Sequence, residues 1–252
     1  MTRNSDTISP TAHYTAQVWL RNGLSDERLR TSQGAFLWHV LAPAMAASRR
    51  IGGPTLQDFL LARHALIDHR LTAAIDRGLV SQVIEVGAGL SPRGLRFSRS
   101  YIDRITYIEA DLPEMAARKR DLLGTTAPHH RIATVNALAE DGPDSLFAIS
   151  PTLDPAQGVA IITEGLLNYF DQQSVLGMWR RFSHVLASFP HGLYLADIHL
   201  QHANQVLTAR AFRFALSQFV RSRVHFHFSD ETEVSRRLLE SGFLTGAVLQ
   251  PN

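Results

Sequence analysis

From residue 82 onward, short β-branched runs alternate with stretches of helical periodicity, and this alternation constrains the fold more than any other feature of the chain. Strands that alternate with helices are typical of βαβ units around a parallel sheet. We expect seven strands, the last two late and short: Gln82–Val86, Arg104–Ala110, Arg131–Val135, Val159–Thr163, Leu193–Ile198, Val224–Phe228 and Leu244–Leu249. Helices are predicted at Pro113–Leu123, Ser174–Phe189, Ala203–Phe219 and Glu231–Ser241.

The first 80 residues have a different pattern. From Ser25 to Arg77, apolar residues recur at helical spacing and no strand pattern is present. We therefore predict an N-terminal helical cap over residues 1–80 and a Rossmann-like α/β domain over residues 81–252, with helices on both faces of a mostly parallel sheet. With 252 residues, 45% of them hydrophobic, the chain can bury a large core, which excludes a disordered or fibrous protein.

An apolar strand ends in a glycine turn at Gly87-Ala88-Gly89. Glycine lacks the Cβ atom that keeps backbone away from a ligand, so G-x-G after a first strand is typical of nucleotide-binding turns. Two acids, Glu109 and Asp111, follow Gly87 and Gly89 by 22 residues, at the end of the second predicted strand. Since an acid at about this spacing binds ribose hydroxyls in such folds, the pattern predicts a nucleoside site.

Two cofactor classes compete for this site. A dinucleotide turn requires a third glycine, where the start of the helix receives the pyrophosphate, but this chain has Pro92 at that position. S-adenosylmethionine (SAM) has no pyrophosphate and is compatible with Pro92, and Glu85, just before the glycines, is then placed to act on the ligand through water. We favour SAM, with a dinucleotide or a plain strand–helix turn as the alternatives.

Four stretches occur in order between residues 61 and 169: LARHALID from Leu61, EVGAGLSPR from Glu85, YIEADLP from Tyr107 together with Lys119, and ITEGLLNY from Ile162. Together they resemble the leucine carboxyl methyltransferase-like O-methyltransferases, a family that includes polyketide carboxyl methyltransferases of the tetracenomycin type. The resemblance implies a class I methyltransferase fold and SAM as the cofactor.

The resemblance also implies roles for individual residues. Arg63, on the helix before the first strand, is implied to hold the methionyl carboxylate, for which a planar guanidinium is suited. Gly87 is implied to lie under the methionine portion, and Asp111 to bind the ribose, with Glu109 as the rival acid. Glu164, at the end of the fourth strand, is expected to contact the amino end of the cofactor or to shape the acceptor pocket, unless it caps the following helix.

The adenine end departs from the family pattern. Where the family has an acidic residue after the third strand, this chain has Val135-Asn136-Ala137-Leu138. We expect Asn136, or the backbone of Ala137 and Leu138, to bond the adenine ring.

The methyl acceptor is expected near the ends of the fourth and fifth strands. A carboxylate acceptor, which the resemblance implies, is already ionised and needs no base, whereas a phenol or alcohol needs one, for which His199 is the candidate. Tyr169 is a candidate catalytic or substrate-binding residue, or else a core aromatic. Tyr14 and Trp19 are predicted as walls of the acceptor pocket, because the family folds such an N-terminal segment over the cofactor, or else as anchors of the chain end.

Composition and charge exclude several other classes of function. The chain has no cysteine, which excludes thiol chemistry. Of its histidine pairs, His129–His130 lies in a loop after Pro128 and His225/His227 has no evident carboxylate partner nearby, so we expect no metal. The pI of about 9.3 does not indicate a nucleic-acid partner, because the net charge is only +2 and Lys119 is the sole lysine among 25 basic residues. With no membrane-spanning run and no signal peptide, we expect a cytoplasmic protein without a membrane partner.

The sequence therefore predicts a SAM-dependent O-methyltransferase acting on a carboxylate of a small metabolite, with polyketides among the candidates. An NAD(P)-dependent oxidoreductase and a non-catalytic SAM-binding protein are the alternatives, and no pattern indicates the oligomeric state.

Overall fold

The computed structural model describes residues 10–50, 55–200 and 225–249. Three helices come first: α1 (Pro10–Arg21), α2 (Ser32–Arg50) and α3 (Leu56–Asp76). Strands and helices then alternate as β1 (Gln82–Val86), α4 (Arg93–Ser100), β2 (Thr106–Asp111), α5 (Pro113–Leu123), β3 (His130–Thr134), α6 (Leu146–Ile149), β4 (Val159–Thr163), α7 (Gln172–Leu186), β5 (Gly192–Ala196) and α8 (Glu231–Glu240). Short 3-10 turns occur at Glu27–Leu29, Ser150–Thr152 and Leu167–Tyr169.

Side-chain caps set the starts of the longer helices. Thr55 and Asp58 exchange hydrogen bonds as a capping box at the start of α3. Asp171 accepts a bond from the backbone N–H of Ser174 at the start of α7. Pro113 occupies the first turn of α5, where its missing N–H has no helical partner to lose.

The five strands form one parallel sheet in the order β3-β2-β1-β4-β5. The chain runs outward from β1 to β3 and then returns to place β4 on the other side of β1. Ligands of open α/β sheets bind at the carboxyl ends of the strands where the order reverses, which here is between β1 and β4. The Rossmann-like prediction is confirmed in this architecture.

Alternate residues of the central strands face opposite layers of helices. Ile84 and Val86 lie in a core with Trp179 and other apolar residues of α7, while Val83 lies in a second core with Leu71 of α3. β1 and β4 are buried along their whole length, since helices cover both faces.

The prediction of seven strands is wrong for the residues that the structure describes. Residues 225–228 contribute one isolated bridge, Leu200 to Phe228, and residues 244–249 form no strand. The apolar residues of these segments pack on helices instead: the Phe228 ring stacks on Trp179 with centroids 5.1 Å apart, and Val248 packs against the core that contains α7. The predicted helix Ala203–Phe219 and Val224 lie outside the described residues.

The N-terminal helices are in close contact with the sheet and its helices. α3 packs on the sheet face, and Ala16 and Trp19 of α1 pack with Leu90, Leu95 and Leu123 around α4 and α5. The helical content of this region agrees with the sequence pattern. The division into a cap at 1–80 and a domain at 81–252 stays a prediction.

Two glycines inside helices should respond oppositely to alanine. A Cβ on Gly94 would lie 2.6 Å from Cδ of Glu109, a carboxylate held by Lys119 and His130, so we expect Gly94→Ala to lower the free energy of unfolding by about 1–3 kcal/mol. A Cβ on Gly177 of α7 would meet no atom closer than 3.6 Å, so Gly177→Ala should leave stability unchanged or raise it by up to about 1 kcal/mol. Urea unfolding followed by circular dichroism measures both; equal losses would contradict the steric assignment.

Candidate functional site

The glycine turn lies at the carboxyl edge of β1, beside the point where the strand order reverses. The backbone N–H of Gly87 donates to the carbonyl of Ala110 at 2.8 Å, so the turn continues the pairing of β1 with β2. Gly87 and Gly89 have positive φ angles of 69° and 48°, and a Cβ on Gly87 would lie 2.7 Å from the Leu166 side chain. Glycine at position 87 is therefore required by both backbone and packing.

Asp111 ends β2 and faces this turn. Its carboxylate accepts the N–H of Gly89 at 2.6 Å and that of Leu112 at 2.8 Å. Burial raises the pKa of Asp111, and these two N–H groups oppose the rise. The acid predicted to bind ribose thus also orders the glycine turn.

Glu109, the rival acid, points into the interior. Its carboxylate is fully buried, 2.8 Å from Nζ of Lys119 and 3.1 Å from Nε2 of His130. Burial works to raise the pKa of Glu109, but Lys119 and His130 together bring it below its usual value. Lys119 also donates to the Ser91 carbonyl at 2.9 Å, so this cluster supports the segment after the turn from inside. The placement favours Asp111 over Glu109 as the acid at the edge.

A buried ion cluster centred on Arg93 lies behind the turn. Its guanidinium has no exposed surface and donates to Asp68 at 2.6 Å, Glu85 at 2.6 Å and Glu164 at 2.5 Å. The other Glu85 oxygen accepts the hydroxyl of Tyr107 at 2.7 Å. Both Glu85 oxygens are therefore engaged in the interior, and its predicted contact with a ligand stays a prediction.

Arg63 joins this cluster to the ends of β4 and β5. Its Nε lies 3.1 Å from Glu164, and its Nη1 lies 3.0 Å from Asp197, which also accepts the N–H of Gly165 at 2.7 Å. Burial works to raise the pKa of Glu164, but Arg93, His64 and Arg63 outweigh it and hold the pKa well below its usual range. Glu164 is thus an ionised carboxylate at the switch-point edge.

The stretch predicted to meet adenine follows β3. The side-chain oxygen of Asn136 accepts the N–H of Leu138 at 3.0 Å, and the Ala137 carbonyl accepts from Arg181 at 3.0 Å. Leu138 is exposed at the surface. These bonds fix the loop in place, and its contact with adenine stays a prediction.

The candidate acceptor residues lie beyond the same edge. His199 is close to Asn168, with Nδ2 of the amide 2.6 Å from Nδ1 of the ring, and its ring is 5.2 Å from that of Phe59 on α3. Burial lowers the pKa of His199. Tyr169 is partly buried in the 3-10 turn beside Asn168. The structure therefore places His199, which follows β5, beside the 3-10 turn after β4 that contains Tyr169, and the roles of both residues at the acceptor stay predictions.

Tyr14 and Trp19 are both buried in packing contacts. Tyr14 stacks on Trp38 with centroids 6.3 Å apart, and Trp19 lies 4.8 Å from the ring of His64. They anchor α1 against α2 and α3, and their predicted role as pocket walls stays a prediction.

No sequence pattern assigns a role to Asp68 or Asp197. Neither motif nor spacing indicates that Arg93 lies at the centre of a buried ion cluster. The only signal is indirect: Glu85 lies in an apolar, buried strand, so a buried cation must accompany it. Arg93 in the adjacent motif is the nearest candidate in sequence.

The sequence profile described as leucine carboxyl methyltransferase matches residues 19–182, well over half of the chain. The chain belongs to the leucine carboxyl methyltransferase family. SAM is the cofactor of this family and hence of this methyltransferase. A search among curated proteins found no sequence match to the chain.

Solved structures with a similar fold include two that are described as methyltransferases. A putative methyltransferase from Thermobifida fusca YX has a TM-score of 0.65 at 13% identity, with 93% of this chain and 80% of that chain covered. TnmH has a TM-score of 0.54 at 17% identity (96% and 67% covered), and human N-acetylserotonin methyltransferase in complex with SAM has 0.50 at 15% identity (94% and 66% covered). At these identities the likeness shows the fold.

The residues at the edge fit the cofactor of the methyltransferase. A guanidinium (Arg63), an ordered acid (Asp111) and two nearby carboxylates (Glu164 and Asp197) match the carboxylate, diol and ammonium groups of SAM in charge and hydrogen bonding.

Within the described residues, no helix of this methyltransferase has the length and apolarity needed to cross a bilayer.

Glu164 should make the stability of the methyltransferase sensitive to acid. Because the folded-state pKa lies below the usual 4.5, its stabilisation is complete above pH 4.5 and is lost as the pH falls through the folded value. Glu164→Gln should lower the free energy of unfolding by about 3 kcal/mol at pH 7, since Arg93 and Arg63 each lose a buried partner, and this deficit should shrink below about pH 4. Urea unfolding at several pH values measures it.

Glu240→Gln is the matched control, because Glu240 is exposed and pairs with Arg236 and Arg237 at the surface. It should leave the free energy of unfolding close to that of the wild type, because exposed ion pairs contribute little to stability. A Glu164→Gln deficit that stayed constant down to pH 2 would show that the carboxylate charge does not stabilise the cluster.

Proposed function

We propose that this protein is an O-methyltransferase that transfers the methyl group of SAM to a carboxylate of a small metabolite. The observation that carries the proposal is the meeting, at one sheet edge, of the glycine turn with Asp111 and of Arg63 with Glu164 and Asp197. A polyketide carboxylate is an acceptor of this class.

The two halves of the cofactor suit opposite sides of this edge. Asp111 has two carboxylate oxygens at the end of β2, where the vicinal hydroxyls of a ribose are bound in such folds. Arg63 is directed to the end of β4 by Glu164 and Asp197, and a guanidinium there binds the methionyl carboxylate bidentately. The same two acids suit the ammonium group, while Asn136 and the Ala137–Leu138 backbone suit adenine.

When bound, SAM supplies a methyl group that is already activated by its sulfonium. The chain then has to hold the acceptor oxygen in line and close to that methyl group, and positioning of this kind supplies much of the rate acceleration. His199, Tyr169 and Phe59 lie next to the end of β4 and are the residues assigned to the acceptor, and Tyr14 and Trp19 are kept as candidate pocket walls. A carboxylate acceptor is ionised at neutral pH and needs no base.

Ligand binding provides the first test. S-adenosylhomocysteine at 100 times its dissociation constant should add about 2.7 kcal/mol of stability, which raises the melting temperature by roughly 5–10 °C. NADH and NADPH should produce no shift. Arg63→Ala and Asp111→Ala should each weaken S-adenosylhomocysteine binding tenfold or more in calorimetric titrations, because each removes a charged hydrogen-bonding group.

Exposed residues provide the controls for these variants. Arg70 lies two turns beyond Arg63 on α3, and Asp121 lies on the exposed face of α5, so Arg70→Ala and Asp121→Ala are the control variants. Both should bind as the wild type does. A melting shift with NADH instead of S-adenosylhomocysteine would support the oxidoreductase alternative and overturn the proposal.

Labelled methyl transfer provides the second test. SAM labelled in its methyl group is offered with benzoate, 2-naphthoate and decanoate, each paired with the phenol or alcohol of the same skeleton. We expect label on at least one acid and release of that label as methanol in base, which is characteristic of a methyl ester. Label on a phenol alone would replace the carboxylate acceptor, and label on none despite tight binding would favour a non-catalytic SAM-binding protein.

A further inference from the structure

The side-chain amide of Asn168 contacts one of the two ring nitrogens of His199. Nδ2 of Asn168 lies 2.6 Å from Nδ1 of His199. An amide nitrogen can only donate, so Nδ1 accepts this bond and carries no proton. In the neutral ring the proton is then on Nε2.

The surroundings of His199 also favour the neutral ring. Burial lowers its pKa, Arg63 on α3 and His227 on segment 225–228 lower it further, and Asp197, two residues earlier, opposes them. A second proton on Nδ1 would also face the N–H of Asn168. Burial therefore favours the neutral ring, and the contact with Asn168 separately indicates which nitrogen of that ring is bare.

Packing holds both partners of this contact in place. The ring of His199 lies between Phe59, at 5.2 Å, and Phe226, which meets it edge-on at 6.1 Å. The carbonyl of Asn168 accepts the N–H of His225 at 3.0 Å, so the residue that orients the imidazole is itself tied to the segment that carries Phe226. Contacts from three separate parts of the chain, α3, the turn at Asn168 and segment 225–228, therefore define one ring orientation.

We propose that Asn168 fixes the tautomer of His199 so that Nε2 carries the ring proton and donates a hydrogen bond to the methyl-accepting oxygen. This inference rests on the proposed methyltransferase function and assigns the acceptor class from the protein side. A ring nitrogen that holds a proton cannot remove one from a phenol or alcohol. It does stabilise an oxygen that is already anionic, so the site selects a carboxylate.

The transfer then balances without proton movement. The carboxylate oxygen provides the electron pair for the new bond to the methyl carbon, and the pair of the broken carbon–sulfur bond stays on sulfur. The products are a neutral ester and a neutral thioether, and no proton is released. Asn168 is a positioning residue in this scheme, and His199 is the residue that touches the acceptor.

The tautomer can be measured without an acceptor. Long-range ¹⁵N–¹H spectra of the S-adenosylhomocysteine complex, with His199 assigned by its loss in His199→Gln, should show a proton on Nε2 and a bare Nδ1 at pH 7.5. In Asn168→Asp the carboxylate accepts from Nδ1, so the tautomer should reverse and the pKa of His199 should rise by about one unit or more. A wild-type ring with its proton on Nδ1, or doubly protonated, would overturn the proposal.

Asn22→Asp is the matched control, since the side-chain amide of Asn22 donates to the Val18 carbonyl at the end of α1, away from His199. It should change neither the tautomer nor the pKa of His199. Unchanged affinity of Asn168→Asp for S-adenosylhomocysteine, within about twofold, shows that the variant is folded and that the effect is local.

Substitutions at His199 separate a donor from a base. Gln retains an N–H donor but cannot act as a base, whereas Phe retains the ring and has neither function. With the best acid of the benzoate, naphthoate and decanoate panel, we expect His199→Phe and Asn168→Asp to lower kcat/KM tenfold or more, and His199→Gln to recover most of that loss. Equal losses in Gln and Phe variants would overturn the donor role, while absent S-adenosylhomocysteine binding would instead refute the proposed function.

Discussion

Arg93 is a fully buried cation whose charge is balanced by three carboxylates from three different parts of the chain. Removing a guanidinium from water costs several kcal/mol, which only close, well-aligned partners recover. Asp68 comes from α3, Glu85 from β1 and Glu164 from the end of β4. Satisfying this one charge therefore requires that the N-terminal helices, the central strand and the switch-point edge be assembled together.

The Arg93 cluster also positions the residues at the carboxyl edge of the sheet. Glu164 bonds Arg93 with one oxygen and Arg63 with the other, so the buried cation fixes the position of the carboxylate that in turn directs Arg63. Asp197 adds a second constraint, because it bonds both Arg63 and the turn at Gly165. On the other side of β1, Asp111 binds the Gly89 N–H and Lys119 supports the Ser91 carbonyl. Both halves of the proposed cofactor site are thus held in place by groups that the sheet itself positions.

The sequence predicts the sheet better than the chain end, for a physical reason. Strands β1 to β5 agree with the predicted runs to within two residues because each is a short run with apolar, aromatic or β-branched residues between helical stretches. Residues 225–228 and 244–249 show similar apolar patterns, yet Phe228 forms one isolated bridge and Val248 forms none, and both pack against the core that contains α7. An alternating apolar pattern predicts that one face of a segment is buried. Whether the segment also pairs as a strand depends on tertiary packing.

A similar distinction separates the two halves of the site. The glycine turn, Asp111 and Glu164 each follow directly from a strand end, so local pattern places them at one edge. The cluster around Arg93 depends on contacts between residues 8, 25 and 71 positions apart, and beyond the need of the buried Glu85 for a cation, no local pattern indicates which residues meet there.

The acceptor side depends even more on tertiary contacts, because the chemical state of His199 is determined by its neighbours. Asn168 is 31 residues away in sequence, and Phe59 and Phe226 lie on two further segments, one on each side of it along the chain. An imidazole with a bare Nε2 is a base, and the same imidazole with a proton there is a donor. Whether the histidine after β5 acts as base or donor therefore depends on whether the opposing group donates to Nδ1 or accepts from it. An amide and a carboxylate at position 168 give opposite answers on the same fold, so acceptor chemistry can change within this architecture while the cofactor site stays as it is.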